Sequence, residues 1–255
     1  MDNTRRPIAI VTGASRGLGR STALALARNG VDIIGTYRSR KTDADTVAEE
    51  IWRCGRKAVM LPLDTGKIKT FSAFRDRIQD TLRTHWQREH FNYLVNNAGI
   101  GIHAPFATTT EADFDELVNV HFKGVFFLTQ NLLPLLKDGG RIVNVSSGLT
   151  RFSLAGYSAY AAMKGAIEVL TRYLAKELGA NGITVNTIAP GAIETDFGGG
   201  AVRDNKEINN LIASVTALGR AGMPDDIGPA VAAILSEDNH WMTGQRVEVS
   251  GGMFV

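Results

Sequence analysis

The chain has 255 residues, 44% of them hydrophobic, and a formal net charge of +2 from 28 basic and 26 acidic side chains. That length and apolar share suffice for one large core, and the scatter of Lys and Arg, without a basic block, argues against a nucleic-acid surface. The single cysteine, Cys54, excludes an intrachain disulfide and a Cys-rich metal site, and no metal is expected.

A short polar arm leads into Ile8-Ala9-Ile10-Val11, the length of a strand and far too short for a signal h-region or a membrane span. The chain therefore reads as a soluble cytoplasmic protein with no membrane partner. Val- and Ile-rich runs recur at about 7–12, 31–36, 57–63, 91–96, 140–146, 182–188 and 245–249, separated by segments of helical period. Phe71, Phe74, Ile78 and Leu82 mark one helical stripe; Phe114, Leu117, Val118, Phe122, Val125 and Phe126 mark another before Pro134. Cys54 follows Ala44, Val47, Ala48 and Ile51 at helical spacing, which predicts a buried helix residue. Such alternation predicts an α/β fold: one Rossmann domain over residues 1–255, a doubly wound parallel sheet of about seven strands with helices on both faces. There is no internal repeat and no long polar linker.

The first strand ends in Thr12-Gly13-Ala14-Ser15-Arg16-Gly17-Leu18-Gly19, after which Ser21 to Ala27 has helical character. Strand, glycine turn and helix in this order form a phosphate cradle, because glycines let backbone N–H groups approach a pyrophosphate at a helix N-terminus. A structural strand-to-helix turn would look the same, so the rest of the chain has to decide. At the end of the second strand, Gly35-Thr36-Tyr37-Arg38 lacks the acid that would hold the ribose hydroxyls of NAD. Arg38 and Arg16 offer guanidinium forks for a 2′-phosphate instead, which points to NADP(H).

Tyr160 and Lys164 lie four apart in a helical pattern from Ser158 to Leu178 and therefore share a face. A phenol with a reference pKa near 10 is a poor acid–base group at neutral pH, and a neighbouring ammonium is expected to lower it. Ser147 closes the Val143–Ser146 strand, at the sheet edge where α/β proteins bind ligands. Its hydroxyl is placed to bind an oxygen on which negative charge develops.

Taken together, these pieces resemble a classical short-chain dehydrogenase/reductase over almost the whole chain, and are similar to 3-oxoacyl-carrier-protein reductases. The resemblance rests on Thr12 to Gly19, Asp64, Asn96-Asn97-Ala98-Gly99, Ser147, Tyr160-x-x-x-Lys164 and Pro190-Gly191-x-x-x-Thr195. It implies hydride transfer between a nicotinamide and a carbonyl or alcohol. Ser147, Tyr160 and Lys164 would be catalytic, with Lys164 also on the nicotinamide ribose. Gly13, Ser15, Arg16, Gly17, Leu18, Gly19, Tyr37, Arg38, Asp64, Asn96, Ala98, Gly99, Pro190, Gly191, Ile193 and Thr195 would line the cofactor, with Asp64 at the adenine and Ile193 and Thr195 at the carboxamide.

Two features depart from the family pattern. Where the family has an Asn before Ser147, alignment on Gly124-Val125-Phe126 puts His121, either a proton relay or a packed neutral imidazole. Tyr157, seven before Lys164, has the spacing of enoyl-thioester reductases and opens that chemistry as an alternative to carbonyl reduction at Tyr160. A dinucleotide sensor without turnover is a third reading, set against the complete catalytic set. Gly198-Gly199-Gly200 and the helical stretch to Leu218 read as a substrate lid over about 192–218 or as a disordered surface loop, and the resemblance implies a pocket near His103, Phe106, Phe152 and Leu154 for a largely apolar carbonyl or alcohol. It implies a homotetramer or homodimer through the Phe126-Phe127-Leu128 and Tyr173-Leu174 faces.

Overall fold

The computed structural model describes residues 6–255, so the polar arm before Arg6 lies outside the described residues. In chain order the elements are β1 (Ile8–Val11), α1 (Gly17–Arg28), β2 (Asp32–Tyr37), α2 (Lys41–Arg53), β3 (Ala58–Pro62), α3 (Phe71–Trp86) and β4 (Phe91–Asn96). Then come α4 (Glu111–Val118), a π-helical turn (Asn119–Lys123), α5 (Gly124–Leu132), β5 (Leu136–Val145), α6 (Ser158–Leu178) and β6 (Thr184–Pro190). The last stretch holds α7 (Ala201–Asp204), α8 (Lys206–Ser214), α9 (Pro224–Ile234) and β7 (Arg246–Val249).

The strands form one seven-stranded sheet in the order β3-β2-β1-β4-β5-β6-β7, with every pairing parallel. A strand's side chains alternate between faces, so β1 feeds two cores. Ala9 and Val11 join Ile33, Val95 and Val143 beneath α1, α2 and α9, where Leu24, Leu26, Val47, Ile51, Ile227 and Val231 pack. Ile8 and Ile10 join Ile34, Leu94 and Val185 against Phe71, Ile78 and Leu82 of α3 and Leu128 and Leu132 of α5. The predicted doubly wound single domain is thus the observed one. Strand order reverses between β1 and β4, which opens a crevice at their carboxyl ends.

Two local expectations are corrected. Cys54 caps the C-terminal end of α2 and is exposed, because the helix stops at Arg53 before its apolar face can cover that position. The stripe from Phe114 to Phe126 is not one buried face: Leu117 is buried, whereas Phe114 and Phe126 are exposed. The π turn at 119–123 inserts a residue into the helical period, so side chains before and after it no longer align.

Candidate active site

The glycine turn is fixed from β4. The Thr12 hydroxyl donates to the Val95 carbonyl (3.3 Å) and accepts from the backbone N–H groups of Asn97 and Ala98 (2.9 Å each). The Asn97 amide donates to the Thr12 carbonyl (2.8 Å), which ties the two strand ends that flank the crevice. Gly13 and Gly17 adopt left-handed φ of +67° and +54°, and a Cβ on Gly19 would collide with the Gly13 carbonyl oxygen. Helix α1 starts with no side-chain cap and no acid in its first turn, leaving its N–H groups to a ligand. This cradle fits a pyrophosphate.

The other residues expected at the cofactor lie at or just after the carboxyl ends of strands, with two qualifications. Tyr37 and Arg38 stand at the end of β2, and Asp64 follows β3 with its carboxylate accepting from the Gly66 N–H (3.0 Å). Ile193 bridges Gly222, and the Thr195 methyl lies 3.6 Å from where a Gly17 Cβ would be. Asn96, however, turns inward: it donates to Thr129 (3.0 Å) and Asn144 (2.8 Å), and Asn144 donates to Thr171 (2.9 Å). Its amide belongs to a buried polar ladder, whereas Asn97, which sequence reasoning did not single out, holds the turn. Arg16 and Arg38, expected to act as a pair, are held differently. Arg16 reaches Asp196 (2.6 Å), while exposed Arg38 makes no ion pair with any described residue.

Ser147, Tyr160 and Lys164 come together at the carboxyl end of β5. The Ser147 side chain accepts from the Leu149 N–H (3.2 Å), and Lys164 is buried with Nζ donating to the Val145 carbonyl (2.7 Å). The Lys164 ammonium lies 5.6 Å from the Tyr160 ring centre. Burial, not the lysine, dominates the titration of the phenol. Desolvation raises the Tyr160 pKa, with the Ser147 hydroxyl pulling it part of the way back. Desolvation likewise lowers Lys164 to about 7. The expected lowering of the phenol is thus reversed, since a low dielectric favours the neutral form of both groups.

His121 is buried on the π turn, its ring edge-on to Tyr160 with centres 5.1 Å apart. Its Nε2 is 2.8 Å from the Ile100 carbonyl and 3.2 Å from the Ile100 N–H, and its Nδ1 has no partner among the described residues. Burial, reinforced by Lys164, lowers its pKa to about 3, so the imidazole is neutral throughout the physiological range. Tyr157, at the start of α6, stacks edge-on against His103 (5.0 Å) and helps line a cavity of about 380 Å³ with Pro105, Phe106, Leu149 and Leu154. Of the expected pocket residues, only Phe152 is elsewhere: it packs on Phe254 (4.9 Å) in a small cluster with Ile212 and Met253.

Beyond Thr195, Phe197 lies against Tyr160 (5.6 Å) and Asp196 bridges Arg16 and Arg203. Gly198, Gly199 and Gly200 all have left-handed φ before α7 and α8. Asp196 and Phe197 carry no periodic or motif signal that could have found them.

Residues 13–254 match the family described as Enoyl-(Acyl carrier protein) reductase. A hydroxynaphthalene reductase-like protein, Arp2, of Metarhizium brunneum (strain ARSEF 3297) is 35% identical over 96% of this chain and 94% of its own. The chain belongs to the short-chain dehydrogenase/reductase family. This oxidoreductase also superimposes on solved structures of the reductase LugOII, described as catalysing keto-reduction at C1 (TM-score 0.93, 34% identity, all of both chains). The angucycline C-6 ketoreductase LanV, solved with bound NADP, follows at TM-score 0.92 and 33% identity over 97% of this chain and 95% of that one. No described helix of the reductase is long and apolar enough to cross a membrane, and no group of three or more metal-binding side chains occurs among the described residues.

Proposed function

We propose that this enzyme is an NADPH-dependent reductase of a flat, largely apolar ketone. The observation that carries the reading is the convergence of Ser147, Tyr160 and Lys164 at one strand end with the Tyr160 phenol held protonated. A cavity walled by Phe106, Leu154 and Tyr157 favours an aromatic or polycyclic substrate, as do the ketoreductase and hydroxynaphthalene reductase-like relatives.

In this reading, the glycine turn from Gly13 to Gly19 holds the pyrophosphate, Arg38 the 2′-phosphate, Asp64 the adenine, and Ile193 and Thr195 the carboxamide end. When bound, the reduced nicotinamide supplies the hydride. Ser147 donates a hydrogen bond to the substrate oxygen and orients it. Tyr160 gives that oxygen its phenolic proton, and the neutral phenol favoured by burial is the form that can do so. Lys164 stands beside the ring, and its ammonium stabilises the phenolate until a proton from solvent restores the phenol. His121 stays neutral and acts by position, packing on Tyr160 and holding Ile100. The segment 192–218 serves as a lid, with Phe197 over Tyr160 and the three glycines as its hinge.

Enoyl-thioester reduction is the second reading, favoured by the family description and by Tyr157 in the cavity wall. Reduction at a carbon two bonds from the carbonyl needs a proton donor farther out, which is where Tyr157 stands relative to Tyr160 (6.5 Å between ring centres). Separate Tyr157→Phe and Tyr160→Phe variants, assayed with NADPH and NADH on bicyclic aromatic ketones, 3-oxoacyl thioesters, enoyl thioesters and quinones, decide between them. Ketone reduction is lost only in Tyr160→Phe; loss only in Tyr157→Phe reverses the assignment. Exposed Phe114, Phe126, Phe127, Val169 and Tyr173 on α4, α5 and α6 support a homodimer or homotetramer, to be read from light scattering.

A further inference from the structure

The loop that carries Ser147 is held by a charged network that neither the cofactor cradle nor the proton-handling trio requires. Glu168 lies on α6 four residues beyond Lys164 and eight beyond Tyr160, so all three rise along one helix face. Its carboxylate oxygen Oε1 accepts from the Ser146 hydroxyl (2.7 Å), the Thr150 hydroxyl (2.7 Å) and Arg246 Nε (2.8 Å). Ser146 and Thr150 bracket Ser147 in the chain. The Arg246 Nη2 then reaches back to the Ser147 carbonyl (3.4 Å) and the Thr150 hydroxyl (3.1 Å), while Nη1 pairs with Glu248 (2.9 Å). Glu248 in turn takes both arms of Arg151 (2.7 and 2.8 Å), at the far end of the same loop.

Charges alternate along this chain of contacts, Glu168, Arg246, Glu248, Arg151, and the two glutamates and Arg246 keep a quarter or less of their side-chain surface exposed. Ion pairs removed from water are a costly way to gain stability alone, because desolvation offsets most of their attraction. What this set does specifically is fasten the backbone on both sides of Ser147 to the helix that carries Tyr160. Loop and helix come from elements that meet only in the folded protein, and a carboxylate one turn past Lys164 fixes the spacing between them.

We propose that Glu168 and Arg246 are positioning residues that set the Ser147 hydroxyl against the Tyr160 phenol. The inference rests on the reading of Ser147 and Tyr160 as the proton-handling pair. A misplacement of about 1 Å at a reacting group can cost on the order of 100-fold in rate, so the effect falls on kcat. Cofactor affinity depends on the opposite end of the crevice and is unaffected.

The test is a double-mutant cycle in the full-length enzyme with NADPH and the bicyclic ketone it turns over fastest, combining Glu168→Ala and Arg246→Met separately with Ser147→Ala. Expected is a kcat at least tenfold lower for Glu168→Ala, with KM for NADPH within twofold. Glu168→Gln, whose amide oxygen still accepts from Ser146 and Thr150, restores kcat to within threefold of wild type. In the Ser147→Ala background, Glu168→Ala changes kcat by less than twofold, because there is no hydroxyl left to position. Equal losses in both backgrounds, or an unchanged kcat in Glu168→Ala, overturn the proposal. An unimpaired Ser147→Ala enzyme marks failure of the proton-handling reading itself and takes this inference with it. Should Glu168→Ala not fold by far-UV circular dichroism, the Arg246→Met cycle decides by the same criteria.

Discussion

Replacing Lys164 with methionine is expected to make the cofactor-free protein more stable near neutral pH while abolishing its activity. Burial lowers the lysine from 10.5 to about 7 in the folded protein. Between those values the unfolded chain holds a proton that the folded one has lost, so stability rises with pH across the window by up to about 1.4 kcal/mol per pH unit. Below pH 7 both states are protonated and the handicap is complete, on the order of 5 kcal/mol, the free-energy equivalent of the interval between the two pKa values. At pH 7 itself roughly 4 kcal/mol of it remains. Methionine removes this penalty and forfeits the hydrogen bond to the Val145 carbonyl, at a cost of about 1–3 kcal/mol. The variant should therefore gain on the order of 2 kcal/mol at pH 7. By pH 9 the wild type recovers about 2 kcal/mol of its handicap and the gain disappears. Urea unfolding of both proteins at one fixed concentration, from pH 7 to 9, measures the difference directly. This range stays clear of His121, which titrates lower, and of Tyr160, which titrates higher. A variant-minus-wild-type difference that is flat over that range would refute the burial argument.

The other sites make equally definite predictions. Arg38→Gln should reduce the preference for NADPH over NADH by at least about tenfold in kcat/KM, since it removes a charge-assisted contact; Arg16→Gln should affect the ratio less, because Asp196 already holds that guanidinium. A Gly19→Ala Cβ runs into the Gly13 carbonyl oxygen and the Asn97 amide, so chemical denaturation should show a loss of at least about 2 kcal/mol, with weakened NADPH binding by fluorescence titration. His121→Asn should retain most activity. It should also remove an acid sensitivity, because the folded pKa of about 3 lies below the ordinary value of 6.5, and wild-type stability is lost as pH falls from 6.5 towards 3. Unfolding midpoints at pH 4 and 7 check this, and equal acid losses in both proteins would count against the buried neutral imidazole.

How much could be read beforehand depends on how far apart the interacting residues are. The seven strands, the glycine turn, the Phe71–Leu82 stripe and the Tyr160–Lys164 face are patterns of contiguous residues, and backbone periodicity displays them along the chain. Where a local reading failed, a neighbour distant in sequence intervened or the period itself changed. The Phe114–Phe126 stripe was split by a π turn that no composition rule announces. The Asn96 amide is taken by Thr129 and Asn144, partners 33 and 48 residues away that residue order does not display.

From residue order came the fold class, through strand and helix periods, and, through the resemblance of motifs of fixed spacing, the reaction class and the trio proposed to handle the proton, because these are local properties. Only the tertiary structure decided the electrostatics. Burial turned the expected acidified tyrosine into a neutral phenol and the lysine into a group poised near neutrality. The fold also joined exposed Arg16 to Asp196 across the crevice and half-buried Arg246 to Glu168 beneath Ser147. Arg16 and Asp196 meet because the parallel sheet brings the carboxyl ends of β1 and β6 to one edge, Arg246 and Glu168 because β7 and α6 both pack on β6, and desolvation acts on whatever the fold encloses.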